Sequence, residues 1–293
     1  METLGNRATL FDDGDELYRE TLTRIRSAQR RVWVETFLFT PDETGRSILE
    51  AMSDAARRGC DVILQFDQLG SHVTNLGAYR GLEDAGGRVA IFNPLPPWRR
   101  FGRRFGSWFR NRNHRKIVVI DEVGYCGGHN FSQSYLGPPP QKYYDMTARL
   151  EGPAVRELAR LFLDSFEQAT GETRPLFGGP DPLEGGVPVR VAGLDALRGD
   201  RGVMQEYARL LDEARERALL LMAYFVPDGP LLEPLLAAAR RGIEIDLRTT
   251  GATDFPPVRW AGQHRYQPLL DAGIRIHELQ EPMLHAKAMG AGP

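Results

Sequence analysis

Apolar positions along the chain change period several times, and each change predicts an element. Leu17, Leu22 and Ile25 recur at helical spacing, whereas Arg31 to Phe39 is dense in β-branched and aromatic residues and predicts a strand. Ile48, Leu49, Met52 and Ala56 return to helical spacing, and Asp61 to Phe66 predicts another strand. Further on, Arg115 to Ile120 predicts a strand, followed by a turn at Glu122-Val123-Gly124 and a second strand from Tyr125. A Gly- and Pro-rich stretch, Gly171 to Gly186, interrupts this order and predicts a linker. The order then restarts, with an extended Val189 to Val191, a helix near Met204 to Arg217 and a strand near Leu219 to Tyr224. Alternating helices and strands of this kind predict an α/β layered fold, built twice.

The repetition is also visible residue by residue. Glu35-Thr-Phe-Leu-Phe-Thr-Pro-Asp42 corresponds to Ala223-Tyr-Phe-Val-Pro-Asp228, and Ala55-Ala-Arg-Arg-Gly59 to Ala238-Ala-Arg-Arg-Gly242. Tyr79 to Gly86 then matches Tyr266 to Gly273, and His114-Arg-Lys116 matches His285-Ala-Lys287. Four collinear matches predict a duplicated domain. The expected boundaries are residues 1–172 for the first copy, 173–187 for the linker and 188–293 for the second. The second copy ends eight residues after His285, so a closing hairpin, strand and helix are expected to be missing from it.

Composition limits the functional classes only loosely. A chain of 293 residues, 42% hydrophobic and 26% charged, has room for two cores and is not disordered. A formal charge of -2 gives no global field favouring polyanions. Cys60 and Cys126 alone suggest neither a disulfide framework nor a zinc site. The first ten residues lack a basic start followed by an apolar core, and no apolar run approaches the roughly 20 residues of a membrane span, so a soluble or peripheral protein is expected.

The candidate chemistry lies in the duplicated His-x-Lys. Two imidazoles suit phosphoryl transfer, because one can attack phosphorus while the other protonates the departing oxygen, and each lysine offers a positive charge to phosphate oxygens. On a strand, a period of two places His114 and Lys116 on one face. Gly127 and Gly128 allow a substrate to approach the backbone closely, and the Asn130 amide can donate to a phosphoryl oxygen. His285 and Lys287 are expected to complete the site from the second copy. Glu35, among apolar residues, reads equally as a substrate-binding residue or as a buried carboxylate satisfied by backbone donors. His129 is expected to point away from the face of Asn130, and Tyr143 and Tyr144 to pack.

These residues resemble the phospholipase D superfamily, and within it the bacterial cardiolipin synthases of the B type without N-terminal membrane spans. The likeness extends over Glu35-Thr-Phe37, His114 to Asp121, Tyr144-Asp145 and Arg149 to Ala154. It implies two tandem α/β/α sandwich domains, a phosphatidyl-histidine intermediate, no metal, and transfer of a phosphatidyl group to a second lipid's hydroxyl. By position it implies His114 as nucleophile, Lys116 and Asn130 as phosphate ligands, and Asp145 as the carboxylate orienting His114. Asp121 is then more supportive than chemical, and His285 is the acid that protonates leaving glycerol and afterwards the base for the acceptor. The sequence departs from the family pattern in having five residues between Asp121 and Gly127 and in placing Gly292 where the second motif's aspartate belongs. Weak turnover is therefore expected unless two copies complement each other as a homodimer.

Between the first Asp-Ala-Gly block and the motif lies Pro94 to Asn113, with six arginines, five large aromatics and no acid. On a helical wheel Trp98, Phe101, Phe105, Trp108 and Phe109 share an arc, with Arg99, Arg100, Arg103, Arg104 and Arg110 around the rest. That division suits a membrane surface carrying anionic lipid such as phosphatidylglycerol. The competing reading is a surface for single-stranded nucleic acid, which the overall charge disfavours. The expected function is thus a peripheral phosphatidyltransferase at the cytoplasmic face of the membrane, with a hydrolase releasing phosphatidic acid, a metal-independent nuclease or an inactive lipid-binding form as alternatives.

Overall fold

The computed structural model describes residues 1–71, 76–94, 112–193 and 202–292. The predicted basic-aromatic helix, with Trp98, Arg99, Arg100, Phe101, Arg103, Arg104, Phe105, Trp108, Phe109 and Arg110, lies outside them. Contacts divide the chain into two units: Met1–Tyr135 with Thr147–Val191, and Leu136–Met146 with Ala192–Pro293.

The first unit is built on an eight-stranded sheet in the order β4-β3-β2-β5-β6-β7-β1-β8. Strands β2 (Arg31–Thr36), β3 (Asp61–Asp67) and β4 (Arg88–Phe92) run parallel, and β5 (Ile117–Ile120) pairs antiparallel with β2. Strands β6 (Val123–Gly127), β7 (Thr147–Glu151), β1 (Glu2–Phe11) and β8 (Val187–Arg190) continue the sheet, each antiparallel to its neighbour.

Parallel strands buried on both faces read as nearly continuous apolar runs, as Val32-Trp-Val34 and Val62-Ile-Leu64 do. Alternation then sorts their side chains. Val32, Val34, Val62, Leu64, Val118 and Ile120 meet the first layer of helices through Leu17, Ile25, Ile48 and Met52. That layer includes α1 (Gly14–Ser27), α2 (Glu43–Arg57) and the short α3 (Arg80–Asp84). Trp33, Ile63, Ile117 and Val119 face the other way, onto Leu158, Phe162 and Phe166 of α4 (Ala154–Thr170). Trp33 stacks on Phe162 with ring centroids 5.4 Å apart, and its indole N–H donates to Asp61 at 3.0 Å.

In the second unit a four-stranded sheet has the order β11-β10-β9-β12. Strands β9 (Arg217–Met222), β10 (Glu244–Thr250) and β11 (Arg275–Leu279) are parallel, and β12 (Lys287–Gly292) is antiparallel to β9. This is the same order and polarity as β4-β3-β2-β5, so the duplication is a property of the fold. Helices α5 (Gly202–Glu213) and α6 (Gly229–Arg240) cover one face, where Leu211, Leu231 and Leu235 pack with Leu220, Met222, Ile245 and Leu247. Two short helices, α7 (Pro256–Gln263) and α8 (Tyr266–Asp271), precede β11. The repeated glycines have a backbone reason: Gly59 and Gly242 close α2 and α6 at φ 93° and 89°, and Gly86 and Gly273 follow α3 and α8 at 94° and 84°. Those left-handed angles carry a steric cost for any residue with a Cβ.

Several boundaries differ from the sequence pattern. The strand expected to run to Phe39 ends at Thr36, where the chain turns into the site, and the helix expected to reach Arg217 ends at Glu213. The extended segment expected at Val189 to Val191 does not open the second copy; it overlaps β8 (Val187–Arg190), which pairs with β1, so the first unit extends to Val191, past the expected linker. Residues 136–146, expected in the first domain, belong to the second unit. The register also corrects the first repeat block. Glu35 opposes Ile117 and Leu221 opposes Ala288, so with Lys116 matched to Lys287 the counterpart of Glu35 is Leu221, not Ala223. The block then aligns without a gap, with Phe39, Pro41 and Asp42 on Phe225, Pro227 and Asp228.

The β5–β6 turn is Asp121-Glu122, tighter than the expected 122–124, because Ile120 already pairs with Val123. Asp121 takes φ 50° there, and its carboxylate accepts the backbone N–H groups of Gln29, Arg30 and Arg31 at 3.0, 2.8 and 3.0 Å. Partial burial opposes its charge, but the three donors outweigh that, and the carboxyl lies below its ordinary range. We therefore expect Asp121→Ala to lower the unfolding free energy by about 1–3 kcal/mol in urea titrations. Because the folded value is depressed, the wild-type advantage should be complete above about pH 4 and fade as pH falls through that value. A pH-independent difference would refute this assignment.

Candidate active site

The cluster around the first motif hangs on the tripeptide that follows Glu35. The Phe37 ring lies 4.7 Å from the His114 imidazole and 5.5 Å from the Lys116 ammonium. The Thr36 hydroxyl and the Leu38 N–H each donate to Asn130 Oδ1 at 3.1 Å. Asn130 Nδ2 donates to the Tyr135 hydroxyl at 2.6 Å, so one of its two hydrogens is held and the amide plane is fixed. Gly127 ends β6 exposed and Gly128 is buried behind it.

His114 and Lys116 precede the first ladder residue of β5, not within a strand as expected, yet they keep its alternation. His114 is exposed while Lys116 is buried beneath it. Lys116 Nζ donates to the His114 carbonyl at 2.8 Å and lies 3.1 Å from Nδ1. An ammonium only donates, so Nδ1 accepts there and the neutral ring's proton sits on Nε2. His129 is turned away from this face, with Nδ1 3.0 Å from the Thr147 hydroxyl and its ring beside Tyr135.

Glu35 is not open to a substrate. It is 1% exposed on the α4 side of the sheet, and its Oε1 accepts from Ser165 Oγ at 2.6 Å, from Gln65 Nε2 at 3.1 Å and from Asn113 Nδ2. Its Oε2 is buried and has no hydrogen-bond partner among the described residues. Burial pushes the carboxyl up, more than these donors and the nearby Arg115 pull it down, which favours the neutral acid. The expected backbone donors are replaced by three side chains.

In the second unit, segment 136–146 lies along the second motif. Tyr144 N–H donates to Met283 O at 2.9 Å, and the N–H groups of His285 and Ala286 donate to Tyr144 O at 2.8 and 3.1 Å. This places Asp145, fully buried, against the histidine: its Oδ2 is 2.6 Å from His285 Nδ1, and its Oδ1 accepts its neighbour Met146 N–H. Asp145 therefore orients His285, not His114 as expected. The carboxylate requires a proton on Nδ1, which leaves Nε2 as the ring nitrogen not engaged by Asp145. Tyr143 stacks on the His285 ring and Tyr224 meets it edge-on, each with centroids 5.9 Å away.

Tyr224 carries no motif and is not a candidate on sequence grounds. It adopts φ 54°, which is costly for an aromatic residue, and its hydroxyl donates to Asp254 at 2.6 Å. Lys287 donates to the His285 carbonyl, as Lys116 does to that of His114, and lies 5.6 Å from the Tyr224 ring. Burial lowers its pKa to about 8, against the opposing pull of Asp145 and Asp254. Among the described residues no group of histidines, cysteines and carboxylates is arranged to hold a metal, and no helix is long and apolar enough to cross a membrane.

Residues 21–169 and 207–291 match the family described as cardiolipin synthase, PLD-like domain. The chain belongs to this family. Both motif copies and Asp145 fall within the matched stretches of the cardiolipin synthase domain. Cardiolipin synthase 1 of Staphylococcus epidermidis is 30% identical over 298 residues, covering 98% of this chain and 59% of that protein. Cardiolipin synthase of Clostridium perfringens is 28% identical over 302 residues, covering 99% and 62%. The chain thus spans about three-fifths of the length of these relatives. Phosphatidylserine synthase of Haemophilus influenzae shares the fold, with a TM-score of 0.60 at 13% identity over 97% of this chain and 76% of that one.

The lysines offer a direct check, since the chain has only three, Lys116, Lys142 and Lys287. In an NMR titration the Lys287 side chain should show a midpoint near pH 8, and Asp145→Asn should lower it further by removing a charge that favours the ammonium. A midpoint at the ordinary value of about 10.4 would show that the ammonium is solvated.

Proposed function

We propose that the chain is a phosphatidyltransferase of cardiolipin synthase type, joining two phosphatidylglycerols with release of glycerol. The observation that carries this reading is the buried Asp145–His285 pair, held by segment 136–146 in a member of this family. Such a pair is a proton donor and acceptor of fixed orientation, which transfer between two alcohols needs twice.

In this reading His114 Nε2 attacks phosphorus, forming the N–P bond as the P–O bond to glycerol breaks. His285, protonated, gives its proton to the departing glycerol oxygen. Neutral His285 then takes the proton of the acceptor hydroxyl as that oxygen displaces His114 from phosphorus. Lys116 has a further part before the first step. While it sits on Nδ1, the His114 proton occupies Nε2 and blocks attack. A phosphate that draws the ammonium away allows Nδ1 to carry the proton, and the Nε2 lone pair becomes the nucleophile. Substrate binding and nucleophile activation are thereby the same event. Asn130 adds a neutral donor to the phosphoryl oxygens.

The protein would act peripherally at the cytoplasmic face of the membrane, and we assign the arginine-aromatic stretch 98–110 to the lipid surface. Vesicles containing phosphatidylglycerol labelled in the headgroup and acyl chains should yield cardiolipin and free glycerol. His114→Ala and His285→Ala should each reduce the rate by about 10²–10⁴-fold or more. Phosphatidic acid as the sole product would establish a hydrolase in place of the transferase. Separately, replacing Trp98, Phe101, Phe105 and Trp108 together by Ser should release the chain from anionic vesicles in sedimentation assays; unchanged binding would exclude that stretch as the anchor.

A further inference from the structure

The residue before the first motif histidine is bonded on every side. The Asn113 N–H donates to Asp67 Oδ2 at 3.1 Å, its Oδ1 accepts the Arg115 N–H at 3.1 Å, and its Nδ2 donates to Glu35. Both neighbours of His114 are therefore fixed through the Asn113 side chain and two buried acids, Asp67 and Glu35. Arg112, the next residue back, donates to Asp67 Oδ1 at 3.0 Å. Asp67 is 1% exposed, Glu35 1% and Asn113 8%, so water does not compete for these bonds.

The second unit shows that this arrangement is not simply what the fold demands. The corrected register makes Leu221 the counterpart of Glu35, Thr250 that of Asp67 and Leu284 that of Asn113. There a single bond remains, from the Thr250 hydroxyl to the Leu284 carbonyl at 2.5 Å. The same topology thus folds with apolar residues at two of the three positions. In the first unit a buried carboxylic acid is kept at a desolvation cost, and its Oε2 has no partner among the described residues.

We propose that Asn113, gripped by Glu35 and Asp67, is a positioning residue that fixes the direction of the His114 imidazole. The proposal rests on the reading of His114 as the nucleophile. The upward shift of the Glu35 carboxyl by burial fits this part, because it weakens the negative charge beneath the histidine while Oε1 still accepts the Asn113 amide hydrogen.

The test uses the whole chain and a readout independent of turnover. In long-range ¹H–¹⁵N spectra, the His114 ring nitrogens, assigned through His114→Gln, should shift and titrate differently in Asn113→Ala, while those of His264 and His277 stay in place. Glu35→Leu should reproduce that change. Glu35→Gln, which keeps a carbonyl oxygen for the Asn113 amide, should restore the wild-type His114 signals. With bis-p-nitrophenyl phosphate as a general phosphodiester probe, Asn113→Ala should lower kcat on the order of ten- to a hundred-fold, with KM within about two-fold. His114 signals identical to wild type in Asn113→Ala would overturn the proposal. If the Leu variant does not fold, Asn113→Ala, which leaves Glu35 bonded to Ser165 and Gln65, decides the matter alone. Shifted His114 signals in a chain that makes no cardiolipin would support the positioning role while refuting the assigned lipid chemistry.

Discussion

The antiparallel seat of one short strand against the central parallel strand is the contact on which everything else depends. In the first unit β5 lies on β2, and in the second β12 lies on β9, each in a register that sets the motif lysine opposite the end of the parallel strand. Three parallel strands with helical crossovers already form a sheet whose strand ends converge on one edge. Adding an antiparallel neighbour brings a new segment to that edge from the opposite direction, so that His114 or His285 arrives where the parallel strands end. Asp121 secures the far end of β5 by accepting three backbone hydrogens from the segment that enters β2. The motif aspartate and the motif histidine therefore flank the same strand on opposite sides, and the aspartate anchors its far end.

Identical motif residues in the two units are held by different means. Each lysine folds back on the carbonyl of its own histidine. Beyond that the supports diverge. His285 is oriented from the side, by a carboxylate on a segment whose backbone accepts two N–H groups of the motif. His114 is approached from below, through its neighbours in the chain, by Asn113 and the two buried acids. A carboxylate on Nδ1 sets the tautomer as well as the direction, whereas a clamp on the flanking residues sets direction only. The second histidine is thereby committed to one tautomer by Asp145, while Nδ1 of the first lies 3.1 Å from the Lys116 ammonium.

Much of this was legible from the residues because it is local. Helical spacing of Leu17, Leu22 and Ile25, the apolar runs of β2 and β3, and the repeated Ala-Ala-Arg-Arg-Gly each report a period or a turn whose cause lies within a few positions. The family resemblance, carried by His114 to Asp121, was likewise contiguous. What was not legible depends on pairing across long separations. Asp145 and His285 are 140 positions apart, and no spacing rule chooses between two identical motif histidines. The misplaced counterpart of Glu35 has a similar origin: matching Thr-Phe to Tyr-Phe draws the alignment two residues out of register, and only the ladder between β9 and β12 corrects it. Val189 to Val191 reads as the start of a new domain because an extended segment does not name its partner strand, which proves to be β1.

The residues that remained hidden share a physical trait. His114 and Lys116 stand just before the first ladder residue of β5, where inter-strand hydrogen bonds no longer fix the backbone. A ladder residue is held by its neighbours whatever its side chain; a residue one step beyond must be held by side chains. Asn113, Asp67 and Glu35 are polar and buried for that reason, and Thr36 and Tyr135 serve Asn130 in the same way. They lie outside the His-x-Lys pattern, because the requirement is geometric and can be met by different residues, as it is by Asp145 for His285 in the second unit. Motif residues identify the reaction, whereas the strength with which each is held is written in the buried polar groups beneath them.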